Sequence, residues 1–224
     1  MSENTQSNTL FSGRLVCVAV IDRAEDAVPL AEALLAGGLN LLEVTFRTDA
    51  AAEAIRRVRE AFPEMCVGAG TVLTVEQLKR ALAAGSQFGV SPGLDEAVLQ
   101  AALETKWPFL PGVMTPSDIV RALNFGVKRL KFFPAEAAGG TNMLKALVGP
   151  FAPSGIRFVP TGGINAGKLA TYLEVPAVEA VGGSWMAERS LVKERNWDKI
   201  TALSQEAMRI AKAASGSFLG GKKQ

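Results

Sequence analysis

The sequence contains no histidine, and this absence removes several kinds of chemistry at the outset. Without an imidazole the chain cannot build a Ser-His-Asp or Cys-His catalytic group, a histidine zinc site or an imidazole proton relay. Any reaction here must rely on carboxylates, lysine, tyrosine, thiols, the backbone or water. The functional residues are therefore to be sought among polar side chains placed in apolar surroundings.

Cysteines and long apolar runs are also scarce. Cys17 and Cys66 stand in separate apolar segments without a Cys-x-x-Cys spacing, so we expect buried structural thiols rather than a metal ribbon or a redox dithiol. Residues 1–13 are polar and lack the pattern of a signal peptide, and no run of about 18 apolar residues predicts a membrane span. We therefore expect a cytoplasmic protein that does not bind membranes.

The charge is nearly balanced, with 24 Lys and Arg against 22 Asp and Glu, which gives no electrostatic reason to expect a nucleic-acid partner. Hydrophobic residues make up 48% of the chain, and the 22 glycines raise the apolar share to about 58%, above the usual share of about 45–50%. Charged residues make up 21%, below the usual share of about 25%. This apolar surplus is typical of a sheet that helices cover. The length of 224 residues fits one large α/β domain.

Short runs of Val, Ile, Leu and Phe alternate with longer segments of helical periodicity along the chain. Helices are predicted at 24–36, 49–62 and 197–213, and others begin after the N-cap residue Thr74, from Asp95 and from Thr115. The predicted strands are 15–21, 41–46, 66–72, 87–90, 109–110, 127–133, 156–160 and 178–181.

Eight strand–helix units predict an α/β fold, a single (β/α)8 TIM barrel over residues 1–224. It would carry a polar N-terminal segment, 1–13, and a loose C-terminal tail, 215–224. The competing architecture, an open doubly wound sheet, should show Gly-x-Gly-x-x-Gly after its first strand, where residues 21–24 read Ile-Asp-Arg-Ala. No linker or low-complexity segment divides the chain.

The carboxyl ends of barrel strands form the active site, so polar residues there are the ones to examine. In the second strand, side-chain alternation places Glu43, Thr45 and Arg47 on one face and their apolar neighbours on the other. The apolar set fits the layer beneath the helices, which turns Glu43 into the barrel. A charge in that position is costly unless it is paired or used.

Lys131 lies near the end of the sixth predicted strand, beside Leu130, Phe132 and Phe133. Apolar surroundings disfavour a charged ammonium, and a neutral amine is the nucleophile that attacks a ketone to form a Schiff base. A Glu43–Lys131 ion pair without any chemistry is an open alternative, because purely structural pairs occupy similar environments.

Glycine-rich segments end three of the strands. Gly68-Ala69-Gly70-Thr71 either lets a ligand approach the backbone beside a hydroxyl or makes a tight turn. The pairs Gly162-Gly163 and Gly182-Gly183 follow the seventh and eighth strands, where barrels commonly bind phosphate through backbone N–H groups. Arg47 supplies a planar cation suited to a carboxylate or phosphate, with a solvated surface arginine as the alternative.

These motifs together resemble the class I 2-keto-3-deoxy-6-phosphogluconate (KDPG) and 2-keto-4-hydroxyglutarate (KHG) aldolase family. The similarity runs from about residue 15 to residue 213, with each motif in the family's order. The segments that carry it are Leu42-Glu43-Val44-Thr45 with Arg47, Gly68-Ala69-Gly70-Thr71-Val72, Ser91-Pro92-Gly93, Lys131-Phe132-Phe133-Pro134-Ala135-Glu136, Pro160-Thr161-Gly162-Gly163-Ile164 and Gly182-Gly183-Ser184-Trp185.

The resemblance implies a homotrimeric Entner–Doudoroff lyase that cleaves KDPG to pyruvate and glyceraldehyde 3-phosphate, without a metal or other cofactor. KHG, cleaved to pyruvate and glyoxylate, is a further substrate to consider. In the family's pattern Lys131 matches the Schiff-base lysine, Glu43 the acid/base residue, and Arg47 and Thr71 the groups that hold the pyruvate carboxylate. The other expected substrate-binding residues are Pro92, Phe133, Thr161 near a substrate hydroxyl, and Gly162, Gly163, Gly182, Gly183 and Ser184 around the phosphate.

Two features depart from the family's pattern. Cys17 stands where many members have proline, and the N-terminal segment has no obvious amphipathic helix. Other functions stay open beside the aldolase. They are a decarboxylase side activity, an isomerase or epimerase that uses Glu43 as base without a covalent step, and a non-catalytic sugar-phosphate-binding barrel. Substrates of the gluconate and galactonate series are also both open.

Overall fold

The computed structural model of the chain describes residues 10–220, with side chains as far as residue 214. Strands alternate with helices, as the sequence pattern predicts, and the strand pairs are parallel. The strands are β1 (Leu15–Ala19), β2 (Leu41–Thr45), β3 (Cys66–Gly70), β4 (Gly89–Val90), β5 (Phe109–Leu110), β6 (Gly112–Val113), β7 (Arg129–Phe132), β8 (Arg157–Pro160) and β9 (Val181–Gly183).

Helices lie between the strands and cover the outside of the sheet. Their buried residues pack with the outward-facing strand residues in one large core cluster. The helices are α1 (Ala27–Ala36), α2 (Ala51–Ala61), α3 (Val75–Ala83), α4 (Glu96–Glu104), α5 (Pro116–Asn124), α6 (Gly140–Phe151), α7 (Ala166–Leu173), α8 (Arg189–Lys193) and α9 (Trp197–Gly220).

The strands form one closed (β/α)8 barrel wall. Six strands pair in the order β5-β4-β3-β2-β1-β9 and three in the order β6-β7-β8. The predicted fifth strand, 109–110, is confirmed as β5, and the sequence pattern does not predict β6 beyond it. Pro111 separates the two, because proline has no N–H to donate to the ladder. On the other side, a bridge between Thr161 and Gly182 joins the end of β8 to β9. The predicted barrel is confirmed.

A second, smaller core cluster lies in the barrel interior. It contains Phe11, Val16, Leu41, Phe88, Val90, Leu110, Val159 and Ala180. The ring of Phe11, from the turn before β1, meets the ring of Phe88 edge-on, with centroids 6.1 Å apart. The polar side chains of the barrel interior therefore lie in the part that this cluster does not occupy.

Three helix starts predicted from the sequence are confirmed as N-caps. The side chains of Thr74, Asp95 and Thr115 each accept a hydrogen bond from the backbone N–H three residues later. At Thr115 the pairing is reciprocal, since the Asp118 carboxylate accepts from the Thr115 N–H at 3.0 Å. Pro116 occupies the first helical position, where no N–H is needed.

The predicted bounds of the eighth strand are wrong. The strand lies at Val181–Gly183 rather than 178–181, so the Gly182-Gly183 pair belongs to the strand and not to a turn after it. Glycine is depleted in strands, which hides the signal. Here both glycines leave room for neighbouring side chains. Added Cβ atoms would lie 2.3 Å from Thr161 Oγ1 and 1.7 Å from the Trp185 ring.

The last helix is longer than predicted, and it changes the expected tail. The backbone of α9 continues to Gly220, because no proline interrupts it and a glycine inside a helix costs only about 1 kcal/mol. Residues 215–220 of the predicted loose tail are therefore helical. Residues 221–224, and residues 1–9 of the polar N-terminal segment, lie outside the described residues. Within residues 10–220, no helix combines the length and the apolar character that crossing a membrane requires.

The two cysteines are free thiols with little tendency to ionise. Burial raises the pKa of Cys17 to about 12, with a contribution from the charge of nearby Glu43. Burial also raises the pKa of Cys66 to about 11. Cys17 is buried as predicted, whereas Cys66 is only partly buried. Because the thiolate is the reactive form, both side chains should be unreactive at neutral pH.

Thr115→Ala is expected to lower the free energy of unfolding by about 1 kcal/mol, because it removes the side-chain oxygen that caps α5. Urea unfolding followed by circular dichroism measures the change. Ser117→Ala, at an exposed position in the same turn, is the matched control and should change stability by less than about 0.5 kcal/mol. Equal values for the two variants would contradict the assigned cap.

Candidate active site

Lys131 and Glu43 meet inside the barrel. Lys131 Nζ donates a hydrogen bond to Glu43 Oε1 at 3.3 Å, and the two residues are 5% and 3% exposed. They come from β7 and β2, which are not neighbours in the sheet, so the contact crosses the interior. A buried ion pair adds little net stability because both charges lose their water. Fold stability alone therefore does not account for this pair.

The apolar surroundings of Lys131 differ in part from the prediction. Leu130 and Phe132 pack in the core beneath the helices, because alternate residues of a strand point to opposite faces. Phe133 is the apolar neighbour inside the cavity, with Lys131 Nζ 5.3 Å from the centroid of its ring. The amine is thus bordered by one carboxylate and one aromatic face.

The glycines of β3 make room for protein side chains. They lie within the strand, so the tight-turn alternative is wrong, and the approach of a ligand to this backbone stays a prediction. A Cβ at Gly70 would lie 2.1 Å from Glu43 Oε1, and one at Gly68 would lie 2.3 Å from the ring of Phe88. Any larger residue at position 70 would displace the Glu43 carboxylate. Thr71 follows with φ 57°, a conformation rare for a β-branched residue and typical of functional sites.

A cavity of about 280 Å³ opens above the Lys131–Glu43 pair at the carboxyl ends of the strands. Of the predicted site residues, only Gly182 does not line it, because the Thr161 side chain occupies the space over that glycine. The lining also includes Val18 and Ile164, which carry no polar group that would mark them in the sequence. The full lining is Val18, Glu43, Thr45, Arg47, Thr71, Pro92, Lys131, Phe133, Thr161, Gly162, Gly163, Ile164, Gly183 and Ser184.

Arg47 is held at the mouth of this cavity by a chain of hydrogen bonds. Arg47 Nε donates to Thr45 Oγ1 at 3.2 Å, and Thr45 Oγ1 donates to the carbonyl of Ala19 at 3.0 Å. The two terminal guanidinium nitrogens make no hydrogen bond to any residue in 10–214. They are therefore available to a carboxylate or phosphate, which a guanidinium binds with two parallel hydrogen bonds.

At one end of the cavity the backbone is arranged to receive an anion. Gly162 and Gly163 have φ values of 103° and 77°, and the chain then enters α7 through Asn165. The Asn165 side chain does not cap that helix. The N–H of Lys168 donates to the Asn165 carbonyl at 3.1 Å, whereas the N–H groups of Ala166 and Gly167 have no hydrogen-bond partner among residues 10–214. Helix N-termini of this kind bind anions, and Ser184 lines the same cavity.

A neighbouring cavity of about 380 Å³ continues outward from the same strand ends. It shares Val18, Arg47 and Ser184 with the first cavity and reaches Glu188 and Arg189. The combined space gives an elongated ligand room on both sides of Arg47.

A parallel barrel with a buried lysine and carboxylate at the base of such a cavity has the arrangement of a (β/α)8-barrel enzyme. Comparison with known proteins gives the family. The sequence model described as "KDPG and KHG aldolase" matches residues 7–203. The chain therefore belongs to the KDPG and KHG aldolase family, whose members are carbon–carbon lyases.

Named relatives match almost the whole chain. The "KHG/KDPG aldolase" of Escherichia coli (strain K12) is 44% identical over 210 residues, 94% of this chain and 98% of that protein. A "2-dehydro-3-deoxy-phosphogluconate aldolase" of Treponema pallidum (strain Nichols) is 48% identical over 197 residues, 88% of this chain and 93% of that protein.

Solved structures agree with this assignment. The KDPG aldolase from Legionella pneumophila, crystallised with pyruvate captured at low pH as a covalent carbinolamine intermediate, is 43% identical and superposes with a TM-score of 0.86. The superposition covers 91% of this chain and 98% of that one. The 2-keto-3-deoxy-6-phosphogluconate aldolase of Zymomonas mobilis ZM4 with 3-phosphoglycerate is 42% identical, with a TM-score of 0.83 over 93% of this chain and 97% of that one.

Lys131→Met is expected to lower the free energy of unfolding by about 3 kcal/mol, because it leaves the buried Glu43 carboxylate without its partner. Adding Glu43→Gln removes the second charge and should restore most of the loss. Urea unfolding measures both variants, with Lys128→Met, at an exposed position, as the control. If the double variant is no more stable than the single one, the two charges are not energetically coupled.

Proposed function

We propose that this chain is a Schiff-base aldolase that reversibly cleaves KDPG to pyruvate and glyceraldehyde 3-phosphate, in the Entner–Doudoroff pathway. Cleavage of KHG to pyruvate and glyoxylate is proposed as a second reaction of the same site. The observation that carries the proposal is the buried contact between the Lys131 amine and the Glu43 carboxylate. The relatives named KHG/KDPG aldolase and the pyruvate adduct of the Legionella enzyme support it.

The first step is formation of an imine on Lys131. Transfer of a proton from Nζ to the Glu43 carboxylate, over their 3.3 Å contact, leaves a neutral amine that attacks the C2 carbonyl of the substrate. The new C–N bond gives a carbinolamine, and Glu43 returns its proton to the alkoxide oxygen. Glu43 then carries a second proton from the nitrogen to the resulting hydroxyl, which leaves as water, and a protonated imine remains.

The second step is cleavage of the bond between C3 and C4. Glu43, acting through a water molecule, takes the proton of the C4 hydroxyl. The electrons of the C3–C4 bond pass into the imine, which becomes an enamine as the aldehyde leaves. Glu43 then gives the proton to C3, and hydrolysis of the imine releases pyruvate and the free lysine. The imine is the electron sink, so the proposed route uses no metal.

The remaining cavity residues are proposed to orient the substrate. Arg47 and Thr71 hold the carboxylate of the keto acid, and Thr161 lies beside the C4 hydroxyl. The phosphate is placed against Gly162, Gly163, Gly183 and Ser184, and Pro92 and Phe133 form apolar walls. Fixing both ends of the substrate turns the attack by Lys131 into a nearly intramolecular reaction, and the distant phosphate supplies binding energy for it.

We also propose that the chain works as a one-domain, cytoplasmic homotrimer whose ligand is the keto acid phosphate. Resemblance to the family supports the trimer. Large apolar side chains on the outer surface support it too, since Leu73, Met114 and Val120 are 52%, 42% and 47% exposed. Such residues are candidates for contacts between copies of the chain.

Borohydride reduction in the presence of pyruvate should attach one reduced pyruvate to Lys131, detected by mass spectrometry of the peptide that contains it. Lys131→Met should abolish both the adduct and KDPG cleavage, because the nucleophile is lost, whereas Lys128→Met should retain both. Absence of an adduct from the wild-type protein would overturn the proposal. Cleavage by Lys131→Met at the wild-type rate would point instead to Glu43 acting as a base without a covalent step.

A further inference from the structure

Three polar side chains form a cluster beside the Gly162-Gly163 turn, outside the cavity lining. Glu136 lies in the loop after β7, and Lys168 and Tyr172 lie one helical turn apart on α7. Glu136 Oε1 accepts a hydrogen bond from Tyr172 Oη at 2.6 Å, and Glu136 Oε2 accepts one from Lys168 Nζ. Tyr172 is 1% exposed, so its ring is fixed by the core while its hydroxyl meets the carboxylate.

The backbone of the same loop is joined to the turn. The N–H of Ala135 donates to the carbonyl of Thr161 at 2.8 Å, and the N–H of Glu136 donates to the carbonyl of Gly162 at 3.0 Å. A Cβ at Gly163 would lie only 2.8 Å from Glu136 Cβ, so the Glu136 side chain packs directly against that glycine. Glu136 therefore contacts the turn on one side and α7 on the other.

A carboxylate beside a proposed anion site would repel the ligand unless its charge were balanced. Hydrogen bonds from Lys168 and then Tyr172 lower the pKa of Glu136, so the carboxylate stays ionised at neutral pH. Burial, followed by the hydrogen bond and charge of Glu136, raises the pKa of Tyr172, which keeps the phenol neutral. The Lys168 ammonium offsets the negative charge, and Glu136 does not line the cavity. Its effect on a ligand must pass through the turn.

We propose that Glu136 is a positioning residue that fixes the Gly162-Gly163 turn for the phosphate of the substrate, with Tyr172 as its anchor on α7. The proposal rests on the proposed function, which places the phosphate at this turn. The proposal assigns different residues to the two ends of the site. Glu136 governs affinity for the phosphorylated end, and imine chemistry at Lys131 proceeds without it.

The kinetic test compares phosphorylated and unphosphorylated ligands. In Glu136→Ala the KM for KDPG should rise about tenfold, because the turn loses its support, while its kcat and the borohydride trapping of pyruvate on Lys131 stay within about twofold. Glu136→Gln should recover most of the affinity, since the amide oxygen still accepts the Tyr172 hydroxyl. The matched control is Glu53→Ala, which removes a partly exposed carboxylate paired with Arg56 and Arg57 on α2, far from the turn in the chain.

Calorimetric binding of glycerol 3-phosphate tests the same inference without any turnover. The dissociation constant should weaken about tenfold in Glu136→Ala and less in Tyr172→Phe, which removes only the hydroxyl. Thermal unfolding identifies any variant that is not folded. If Glu136→Ala is not folded, the dissociation constant measured for Tyr172→Phe tests the positioning role instead.

Loss of pyruvate trapping in parallel with loss of glycerol 3-phosphate binding would overturn the positioning role, because it would indicate general damage to the barrel. Unchanged phosphate binding in every folded variant would overturn it as well. Failure of the wild-type protein to trap pyruvate would instead overturn the aldolase proposal, whatever the phosphate binding shows.

Discussion

The rest of this site depends on one interaction, the burial of a lysine ammonium against a carboxylate inside a parallel barrel. Strands β2 and β7 are not neighbours, so each must direct a charged side chain into the interior at the same level along the barrel axis. The sheet meets that requirement through strand alternation, which sends Leu42, Val44 and their equivalents to the helices and Glu43 to the interior. Gly70 is the second condition, because any side chain at that position would occupy the place of the carboxylate.

The two ends of the cavity are formed by different groups, side chains at one end and backbone at the other. Side chains define one end, where Lys131, Glu43, Arg47 and Thr71 line the cavity. Backbone defines the other end, where a glycine turn and an uncapped helix start offer N–H groups. This division suits a substrate with a reactive keto acid at one end and a strongly anionic group at the other. It also means that the anion end depends on supporting contacts from outside the cavity.

The sequence predicts the architecture and the two charged side chains of the barrel interior well, because both have local signals. Alternating periodicities mark the barrel, Thr74, Asp95 and Thr115 mark helix starts, and a charged residue between apolar neighbours in a strand marks Glu43 and Lys131. The sequence signals for strands and helices fail where glycine or proline lies inside an element. Gly182 and Gly183 lie in a strand, although glycine is uncommon there, because the neighbouring side chains of Thr161 and Trp185 fill the space that a larger residue would need. Helix α6 is not defined by the pattern, since it starts in glycines and contains Pro150.

Other features have no local signal at all. Val18 and Ile164 line the cavity only because the barrel closes around them. The contact between Glu136 and Tyr172 joins residues 36 positions apart, and neither residue lies in a pattern that indicates the other. The relation between a charged side chain and the backbone turn that it supports can be seen only once the fold brings the two loops together.

Exchange of the pyruvate methyl protons with deuterium, followed by proton NMR, most directly tests the roles proposed for Lys131 in imine formation and for Glu43 in proton transfer. Exchange requires the imine on Lys131 and a base that moves the C3 proton. Because the proposed mechanism also gives Glu43 a part in imine formation, it predicts that Glu43→Gln forms the borohydride adduct on Lys131 more slowly than wild type. Exchange of the methyl protons should be at least about a hundredfold slower than in wild type. Exchange at the wild-type rate in Glu43→Gln would contradict the role given to Glu43.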